Sequence, residues 1–396
     1  MKPLKQIAIL IETSSGWGRR LIEGILSEAN KHHRWHNWVS PEKPEHGSFF
    51  LPKSWEGDGI IAMLDSRKTA RRLERYGVPI VDVSDIMVPD QPHPQVMTDH
   101  METARLALEH LLAKGFKRFG YVGATMRPGV REQHQAFRRV ARSLGIKHEL
   151  LSMQPDYSSL ESWQDWSQSV VDWLNEQPKP IAVVTWNAPI GREVIDACRM
   201  AGILVPHEVA VIASNTDDLL DNACDPRLTA VEDAGIQIGK LAASYLDKLM
   251  EGETDLPSLA KVKPTRVILG GSTDTLAVDD PQLEQALRYI DEHALEEGIN
   301  VSKILKHVPM ARRALEMKFN QALGHSPGEE IRRRKLSKAK DLLVETKHTM
   351  YEIAEICGYS SYTYLHKAFK KATDLSPSQY RRQWSLEQGH QRSDLE

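Results

Sequence analysis

Residues 350–377 read MYEIAEICGYSSYTYLHKAFKKATDLSP, and the same helical pattern occurs about fifty residues earlier. Apolar residues spaced i, i+3, i+4, i+7 recur at an offset of 49, with Val301, Ile304, Leu305 and Val308 matching Met350, Ile353, Ala354 and Cys357. At an offset of 50, Leu315, Phe319 and Ser326-Pro327 match Leu365, Phe369 and Ser376-Pro377. A helix, a break and a second helix facing the first form a helix-turn-helix. Two such units are therefore predicted, at about 301–322 and 350–372.

The segment that carries both copies is basic, whereas the rest of the chain is acidic. Residues 299–382 hold 17 Lys and Arg against 8 Asp and Glu, and the remainder of the 396 residues holds 34 against 46. This asymmetry predicts a polyanionic partner for the basic segment alone, and double-stranded DNA fits two helix-turn-helix units. The alternative is a pair of ordinary helical hairpins with a solvated basic face. The repetition in register makes that alternative much less favoured.

Candidate DNA contacts are the side chains left on the outer faces once the apolar stripe of each second helix points inward. In the second unit the inward stripe is predicted to be Tyr364, Leu365, Ala368 and Phe369. The outer faces then present Arg312, Arg313, Glu316 and Met317 in the first unit and Ser361, Tyr362, His366, Lys367 and Lys370 in the second. The two arginines could each bind a guanine with two hydrogen bonds. A helix between the units is predicted to fix their spacing and to touch phosphate through Arg332, Arg333 and Arg334, followed by Lys335.

The first part of the chain alternates short apolar runs, such as residues 7–11, with amphipathic helices. This alternation predicts parallel sheets covered by helices. The predicted fold class is thus an α/β two-lobed sensor domain followed by an all-α domain with two helix-turn-helix units. The expected boundaries are a sensor over 1–273, with lobes at roughly 1–100 plus 232–250 and at 101–231, a linker at 274–281, a DNA-binding domain at 282–384 and a flexible tail at 385–396.

A ligand site is predicted at the carboxyl ends of the strands, which in a two-lobed protein face the cleft. A sugar needs amide, carboxylate, hydroxyl or guanidinium partners for its hydroxyls and an indole for its C–H face. The loops at those ends offer Ser14, Ser15, Trp17, Asp65, Arg127, Arg131, Trp186, Asn187, Asn215 and Asp217. Trp186 is the leading candidate for stacking on the sugar. Trp17 and Trp186 could equally be core or rim aromatics, and Asp65 could be a helix N-cap.

No catalytic, cofactor or metal site is predicted. The loop at residues 13–19 lacks the phosphate-loop pattern, the three cysteines form no CxxC motif, and no nucleophile–base arrangement stands out. His32 and His36 are spaced i, i+4, but a solvated helix face is the preferred interpretation of that pair. No apolar run approaches a membrane span, so we expect a cytoplasmic protein.

The second helical copy closely resembles the signature of the AraC/XylS family of bacterial transcription regulators. The resemblance spans residues 285–382 and is carried by Ile353-Ala354, Cys357-Gly358-Tyr359-Ser360-Ser361, Tyr364-Leu365, Phe369-Lys370-Lys371, Ser376-Pro377 and Tyr380-Arg381. It implies that both units occupy adjacent major-groove segments on one face of the DNA, with RNA polymerase as a partner. Two departures, Pro309 and Asp374 where the family usually has Gly, concern loop geometry rather than DNA contact.

Residues 5–270 resemble the periplasmic-binding-protein-like core of LacI/GalR-type regulators, most clearly over 181–187, 205–206, 209–215 and 226–231. This resemblance places Asn215 at the position of a sugar-binding acid. It places Gln133 where the family has an arginine, so Arg127 or Arg131 would have to take that role. The pairing of such a sensor with an AraC-type reader is similar to that of xylose operon regulators of the XylR type, which implies D-xylose as the effector.

The leading hypothesis is a cytoplasmic, sugar-responsive transcription regulator that activates a pentose catabolic operon as a homodimer and is not an enzyme. One alternative is an enzyme acting on a sugar or nucleotide, with the basic segment as an accessory DNA-binding tail; turnover of a bound carbohydrate would favour it. Another is a DNA-binding regulator controlled by a protein partner, with a vestigial pocket. Thermal-shift screening against monosaccharides separates this last case from the first.

Overall fold

The computed structural model describes residues 4–32, 35–40, 51–86, 92–125, 128–153, 159–275 and 280–382. The chain divides into two compact units, Met1–Asp274 and Thr275–Glu396. The first is α/β and the second is all-α, so the predicted fold class is confirmed. Within the described ranges no helix is both long enough and apolar enough to cross a bilayer. The predicted tail and half of the predicted linker, residues 276–279, lie outside the described residues.

The N-terminal unit alternates strands and helices along its whole length. In chain order they are β1 (Lys5–Leu10), α1 (Gly16–His32), β2 (Trp35–Val39), β3 (Gly59–Ala62), α2 (Arg67–Glu74), β4 (Ile80–Asp82), β5 (Gln95–Thr98), α3 (His100–Ala113), β6 (Phe119–Val122), α4 (Pro128–Ser143), β7 (His148–Leu151), α5 (Leu160–Glu176), β8 (Ile181–Thr185), α6 (Ala188–Met200), β9 (Val209–Ala213), α7 (Asp218–Asn222), β10 (Thr229–Val231), α8 (Gly235–Met250), β11 (Leu259–Val262) and β12 (Val267–Ile268).

These strands form two six-stranded sheets, one in each lobe. The orders are β11-β5-β4-β3-β1-β2 and β12-β10-β9-β8-β6-β7. Their pairings are parallel except for β10 with β12, which is antiparallel. Residues of β8 and β9 are buried throughout because helices cover both faces, which explains their unbroken apolar runs. The first sheet extends beyond the predicted lobe limit at residue 250, since β11 also belongs to it.

In the C-terminal unit the structure forms α9 (Pro281–His293), α10 (Val301–His307), α11 (Arg312–Leu323), α12 (Pro327–Glu345), α13 (Met350–Ile356) and α14 (Tyr362–Thr373), and residues 377–382 are also helical. They build two small cores. The first takes side chains from α9, α10, α11 and the start of α12, and the second takes them from the rest of α12, α13 and α14. The repeated apolar residues lie in equivalent places, since Leu315 and Phe319 in one core and Leu365 and Phe369 in the other are 0% exposed. The two predicted helix-turn-helix units are therefore confirmed as part of the fold class.

The ends of the two reading helices, α11 and α14, are alike although their residues differ. Gly324 ends α11 with φ 73° and Asp374 ends α14 with φ 57°, both in the left-handed region. Aspartate tolerates this conformation better than most residues with a Cβ. The sequence left the loop geometry at Asp374 in question, and the structure shows that Asp374 adopts the left-handed conformation that Gly324 adopts in the first helix-turn-helix unit.

Candidate DNA interface and sugar site

In the second unit, helix α14 buries Leu365 and Phe369 and presents a polar outer face. Ser361, Lys367 and Lys370 are exposed, as predicted for DNA contacts. Tyr362 and His366 are half-buried, and their ring centroids lie 5.7 Å apart. The Tyr362 side chain also packs against the second core, so only part of it is available at the surface.

The structure corrects one residue of the predicted inward stripe and adds one to the outer face. Tyr364 was predicted to point inward but is 63% exposed. Successive helical residues are about 100° apart, so the residue before Leu365 falls on the flank of the helix. Tyr364 there lines a groove of about 380 Å³ with Tyr359 and Arg332. Thr363 is exposed on the outer face and was missed, because a small hydroxyl residue changes neither the charge count nor the apolar pattern.

In the first unit, helix α11 presents the four residues that the sequence predicted for DNA. Arg312, Arg313 and Met317 are exposed and Glu316 is half-buried. Arg312 Nε donates a hydrogen bond to Glu316 Oε1 at 3.0 Å. Exposed i, i+4 pairs of this kind are weak, so Arg312 can exchange Glu316 for a base edge or phosphate at small cost.

The basic run of α12 does not form one cationic face, which corrects the expectation for Arg334. Arg332 is exposed and paired with Glu329, and Arg333 is half-buried. The Arg334 side chain is only 19% exposed, with Nε 3.0 Å from both Asp291 Oδ1 and Glu330 Oε1. Four consecutive helical residues cover most of a turn, so they cannot all face DNA. Arg334 is therefore an internal ion-pair partner rather than a phosphate contact.

Arg334 compensates a buried acid in the first core. Burial raises the pKa of Asp291 to about 6, and the positive charge of Arg334 opposes that rise. The neighbouring Glu330 is further bound by His325, whose Nε2 lies 2.6 Å from Glu330 Oε2. This cluster joins α9 to α12 and contributes to the structure of the unit rather than to its DNA-facing surface.

In the first lobe, the loop after β1 is organised by its own hydrogen bonds. Ser15 Oγ donates to Glu12 Oε1 at 2.8 Å, and Arg19 donates to the carbonyls of Thr13 and Ser14 at 3.0 Å each. The Ser14 side chain remains exposed, as a ligand contact requires.

Of the two other first-lobe candidates, Trp17 is buried and Asp65 is exposed. Trp17 is 9% exposed and packs in the core of the first lobe, so the core-aromatic interpretation replaces the predicted sugar contact. Asp65 is exposed at the carboxyl end of β3, where it accepts hydrogen bonds from the hydroxyls of Ser66 and Thr69. The N-cap of α2 is Ser66, not Asp65.

In the second lobe, the ends of the neighbouring strands β8 and β9 bring three predicted residues together. Asn187 caps α6 and accepts from the Ile190 N–H at 3.0 Å. Asn215 Oδ1 accepts from the Ala188 N–H, also at 3.0 Å, which leaves its amide N–H donors for a ligand. Trp186, half-buried, lies on the same edge and packs against the lobe core with part of its ring.

Of the two arginines expected to replace the family's pocket residue, the structure describes the one on α4. Arg131 is exposed, with its Nε donating to the Thr125 carbonyl at 3.2 Å. Arg127 lies outside the described residues. Gln133 accepts a hydrogen bond from the Tyr121 hydroxyl at 2.8 Å and is held within the lobe by it.

The two lobes meet at Asp217, which gives this residue a different role from the predicted one. Asp217 Oδ2 accepts from the Gly16 N–H at 2.9 Å and lies 3.5 Å from an Arg19 terminal nitrogen. Its Oδ1 caps α7. Both carboxylate oxygens of Asp217 thus accept hydrogen bonds within the protein. Asp217 therefore connects the two lobes and is not a sugar contact. Within the described ranges no group of three or more His, Cys, Asp or Glu could hold a metal ion.

The similarity to known proteins extends over both the N-terminal sensor and the C-terminal helix-turn-helix domain. Residues 108–273 match the periplasmic binding protein-like domain family, and residues 304–383 match the helix-turn-helix domain family. The chain is 30% identical over 387 residues to the xylose operon regulatory protein of Escherichia coli (strain K12), covering 95% of this chain and 96% of that protein. The protein of the same name from Haemophilus influenzae is 28% identical, with 95% and 98% covered.

One solved structure matches both the sensor and the reader, and another matches the sensor alone. The structure of a xylose-binding transcription activator, xylR, is 28% identical with a TM-score of 0.77, covering 96% of this chain and 98% of that one. A LacI family transcriptional regulator from Mycobacterium smegmatis is 16% identical with a TM-score of 0.57 over 69% of this chain, which supports the sensor fold alone.

The predicted function class is confirmed by these relatives, which are named as regulators rather than enzymes. Their likeness covers the sensor and the reader together, so neither unit is an accessory to an unrelated body. The chain belongs to the xylose operon regulatory proteins, a family of sugar-responsive transcription regulators that bind DNA through a C-terminal helix-turn-helix domain.

Proposed function

We propose that this regulator binds a pentose, D-xylose before others, and activates transcription of a pentose catabolic operon in the cytoplasm. The observation that carries the proposal is the likeness of both units together, at 30% identity over 95% of the chain, to a protein named for the xylose operon. Sugar would favour one arrangement of the sensor lobes, and only a difference in affinity between arrangements can do so. The same proposal includes a homodimer and contact with RNA polymerase.

The proposed sugar site combines Trp186, Asn187, Asn215 and Arg131 of the second lobe with Ser14 and Asp65 of the first lobe, across the cleft. The proposal is supported by the positions of the Trp186 indole and the Asn187 and Asn215 amides, which lie together at the carboxyl ends of β8 and β9. Parallel sheets bind ligands at this edge. Asn215 is the most informative residue because its carbonyl oxygen serves the protein while its amide nitrogen is available.

We expect Asn215→Asp to weaken D-xylose binding while preserving the fold. The aspartate keeps the oxygen that accepts from Ala188 but loses the N–H donors, and a lost hydrogen bond to a sugar hydroxyl costs about 1–2 kcal/mol, or roughly 5- to 30-fold in affinity. Titration calorimetry and thermal shift with D-xylose, L-arabinose and D-ribose measure the effect.

Asn300→Asp is the matched control, since Asn300 also accepts a backbone N–H through its Oδ1 at a helix cap but lies in the C-terminal unit, outside the proposed site. Equal D-xylose affinity for Asn215→Asp and the unmodified chain would exclude Asn215 from the site. A chain that no pentose stabilises would contradict the pentose proposal itself.

For DNA, the proposed contacts to base edges come from Arg312, Arg313 and Met317 in α11 and from Tyr362, Thr363, His366 and Lys367 in α14. Ser361, Lys370, Arg332 and Arg333 would contact the backbone. Glu316 would orient Arg312 until DNA replaces it. The support is that these residues are exposed or half-buried on the outer faces of α11, α14 and α12, in a basic unit.

We expect Arg313→Ala to reduce specific DNA affinity by about 1–3 kcal/mol, or roughly 5- to 150-fold, because a bidentate contact to guanine is lost. Band-shift titration at fixed salt, with a duplex selected by the unmodified chain, measures the loss. Lys261→Ala, the same unit change of charge in the sensor, should leave affinity within about twofold. An Arg313 variant that behaves like the Lys261 variant would remove Arg313 from the interface.

A further inference from the structure

Lys335 is a buried cation at the junction of the two helix-turn-helix units. It lies on α12 between Ile331, which belongs to the first core, and Leu336, which belongs to the second. It is 8% exposed, although the sequence places it in a run of four basic residues. A buried ammonium carries three donors that must find acceptors inside the protein.

The acceptors come from both units. Lys335 Nζ donates to the Gly358 carbonyl at 2.5 Å and to the Glu296 carbonyl at 3.4 Å, and it lies 5.3 Å from the centroid of the Tyr359 ring. Gly358 and Tyr359 follow the first helix of the second unit, whereas Glu296 lies in the loop between α9 and α10 of the first. One side chain therefore binds the turn of one unit to a loop of the other.

A second contact at the same junction shows how closely the two units approach. A Cβ built on Gly358 would stand 2.2 Å from the Leu295 carbonyl oxygen. Helix α12 connects the units but has a core on either side of this point, so α12 alone leaves the turn of the second unit able to tilt. The bonds of Lys335 oppose that tilt. Burial lowers the pKa of Lys335, as expected for an ammonium group that has lost part of its water shell.

We propose that Lys335 is a positioning residue that fixes the angle between α11 and α14 and thereby sets the spacing of the two DNA segments that one chain accepts. The proposal rests on the DNA reading by α11 and α14 proposed above. Two reading helices held at a fixed angle bind their second segment without a further ordering cost, but only at the spacing that the angle allows.

The test compares Lys335→Met with Lys340→Met in the full chain. Methionine keeps an unbranched side chain and removes the donors, and Lys340 gives the same replacement on the same helix. The probes are a duplex selected from a randomised pool by the unmodified chain and two derivatives with one or two base pairs inserted between the protected segments. One inserted base pair rotates the segments by roughly 35° and separates them by about 3.4 Å.

For the unmodified chain and Lys340→Met, we expect each insertion to weaken binding about tenfold or more. For Lys335→Met, we expect about tenfold weaker binding to the selected duplex and a penalty of less than about threefold per insertion. A general loss of stability would lower affinity for all three duplexes alike and leave their ratio unchanged. A Lys335→Met chain with the spacing penalty of the unmodified chain overturns the proposal.

Two further outcomes keep the test decisive. If Lys335→Met loses its footprint on the second segment, Lys335→Gln carries the comparison, because glutamine is neutral but retains two N–H donors. If each inserted base pair weakens the binding of Lys335→Gln nearly as much as that of the unmodified chain, the N–H donors have the proposed role. If each insertion weakens it by less than about threefold, the proposal is contradicted. Failure of the unmodified chain to select any duplex would instead contradict the proposed DNA reading.

Discussion

Gly358→Ala should unfold the second helix-turn-helix unit and leave the chain with the DNA affinity of the first unit alone. Gly358 has φ 66°, and an added Cβ would lie 2.2 Å from the Leu295 carbonyl oxygen and 2.9 Å from that of Glu296. Left-handed backbone costs an alanine about 1–2 kcal/mol, and the overlap with fixed backbone atoms adds at least as much. A total on the order of 3 kcal/mol or more exceeds what a core of this size can absorb.

Gly324→Ala is the matched control. Gly324 also follows a reading helix in the left-handed conformation, with φ 73°, but nothing lies within 4 Å of its added Cβ. It should cost only about 1–2 kcal/mol and leave both footprints in place. Hydrogen exchange of α13 and α14 amides, together with footprinting, measures both variants. Equal losses in the two would mean that the contact with Leu295 does not constrain the second unit.

The helices around these glycines could be predicted because their signal is local. Apolar residues at helical spacing, repeated after about fifty positions, indicate two hairpins whatever surrounds them. The direction of each cation on α12 was not predicted, although the sequence holds a clue. Ile331, Lys335, Ala339 and Leu343 follow one another every four residues, and all four are buried. A charge count hides that Lys335 belongs to this apolar stripe.

In the sugar site, too, some residues could be placed from the local sequence, whereas others depend on contacts between distant segments. Chain order alone places Trp186, Asn187 and Asn215 after two neighbouring strands, because parallel strands present their carboxyl ends on one edge. The positions of Trp17 and Asp217 depend on how the first-lobe loop meets the second lobe. Gly16 and Asp217 are 201 residues apart and share a hydrogen bond that no short pattern reveals.

The same boundary between lobes contains a buried ion pair with several partners. Arg20 Nε lies 3.1 Å and 3.0 Å from the two carboxylate oxygens of Asp233, and its terminal nitrogen also bonds Asp233 and the Thr216 carbonyl. Thr216 Oγ1 and the Gly235 N–H donate to the same carboxylate at 3.2 Å and 2.9 Å. Helix α1 of the first lobe, the loop after β9 of the second and the start of α8 are thus held by one acid whose side chain is 2% exposed.

Asp233→Ala should therefore destabilise the sensor by about 3–5 kcal/mol, because it removes the carboxylate that balances the mostly buried charge of Arg20 and accepts from two further donors. Arg20→Ala should cost a similar amount, and the double variant should cost less than the sum, since the second change removes the charge that the first left unpaired. The adjacent Glu232 accepts two hydrogen bonds from Arg266, from Nε at 3.1 Å and from a terminal nitrogen at 3.0 Å, but the Arg266 side chain is 68% exposed. Glu232→Ala should cost far less, because water replaces the lost partner.

Urea unfolding of the full chain, followed by tryptophan fluorescence, compares the four variants. If Asp233→Ala and Glu232→Ala proved equally harmful, burial would not be the source of the strength of this junction, and the two lobes would have to be held by something other than the Asp233 cluster.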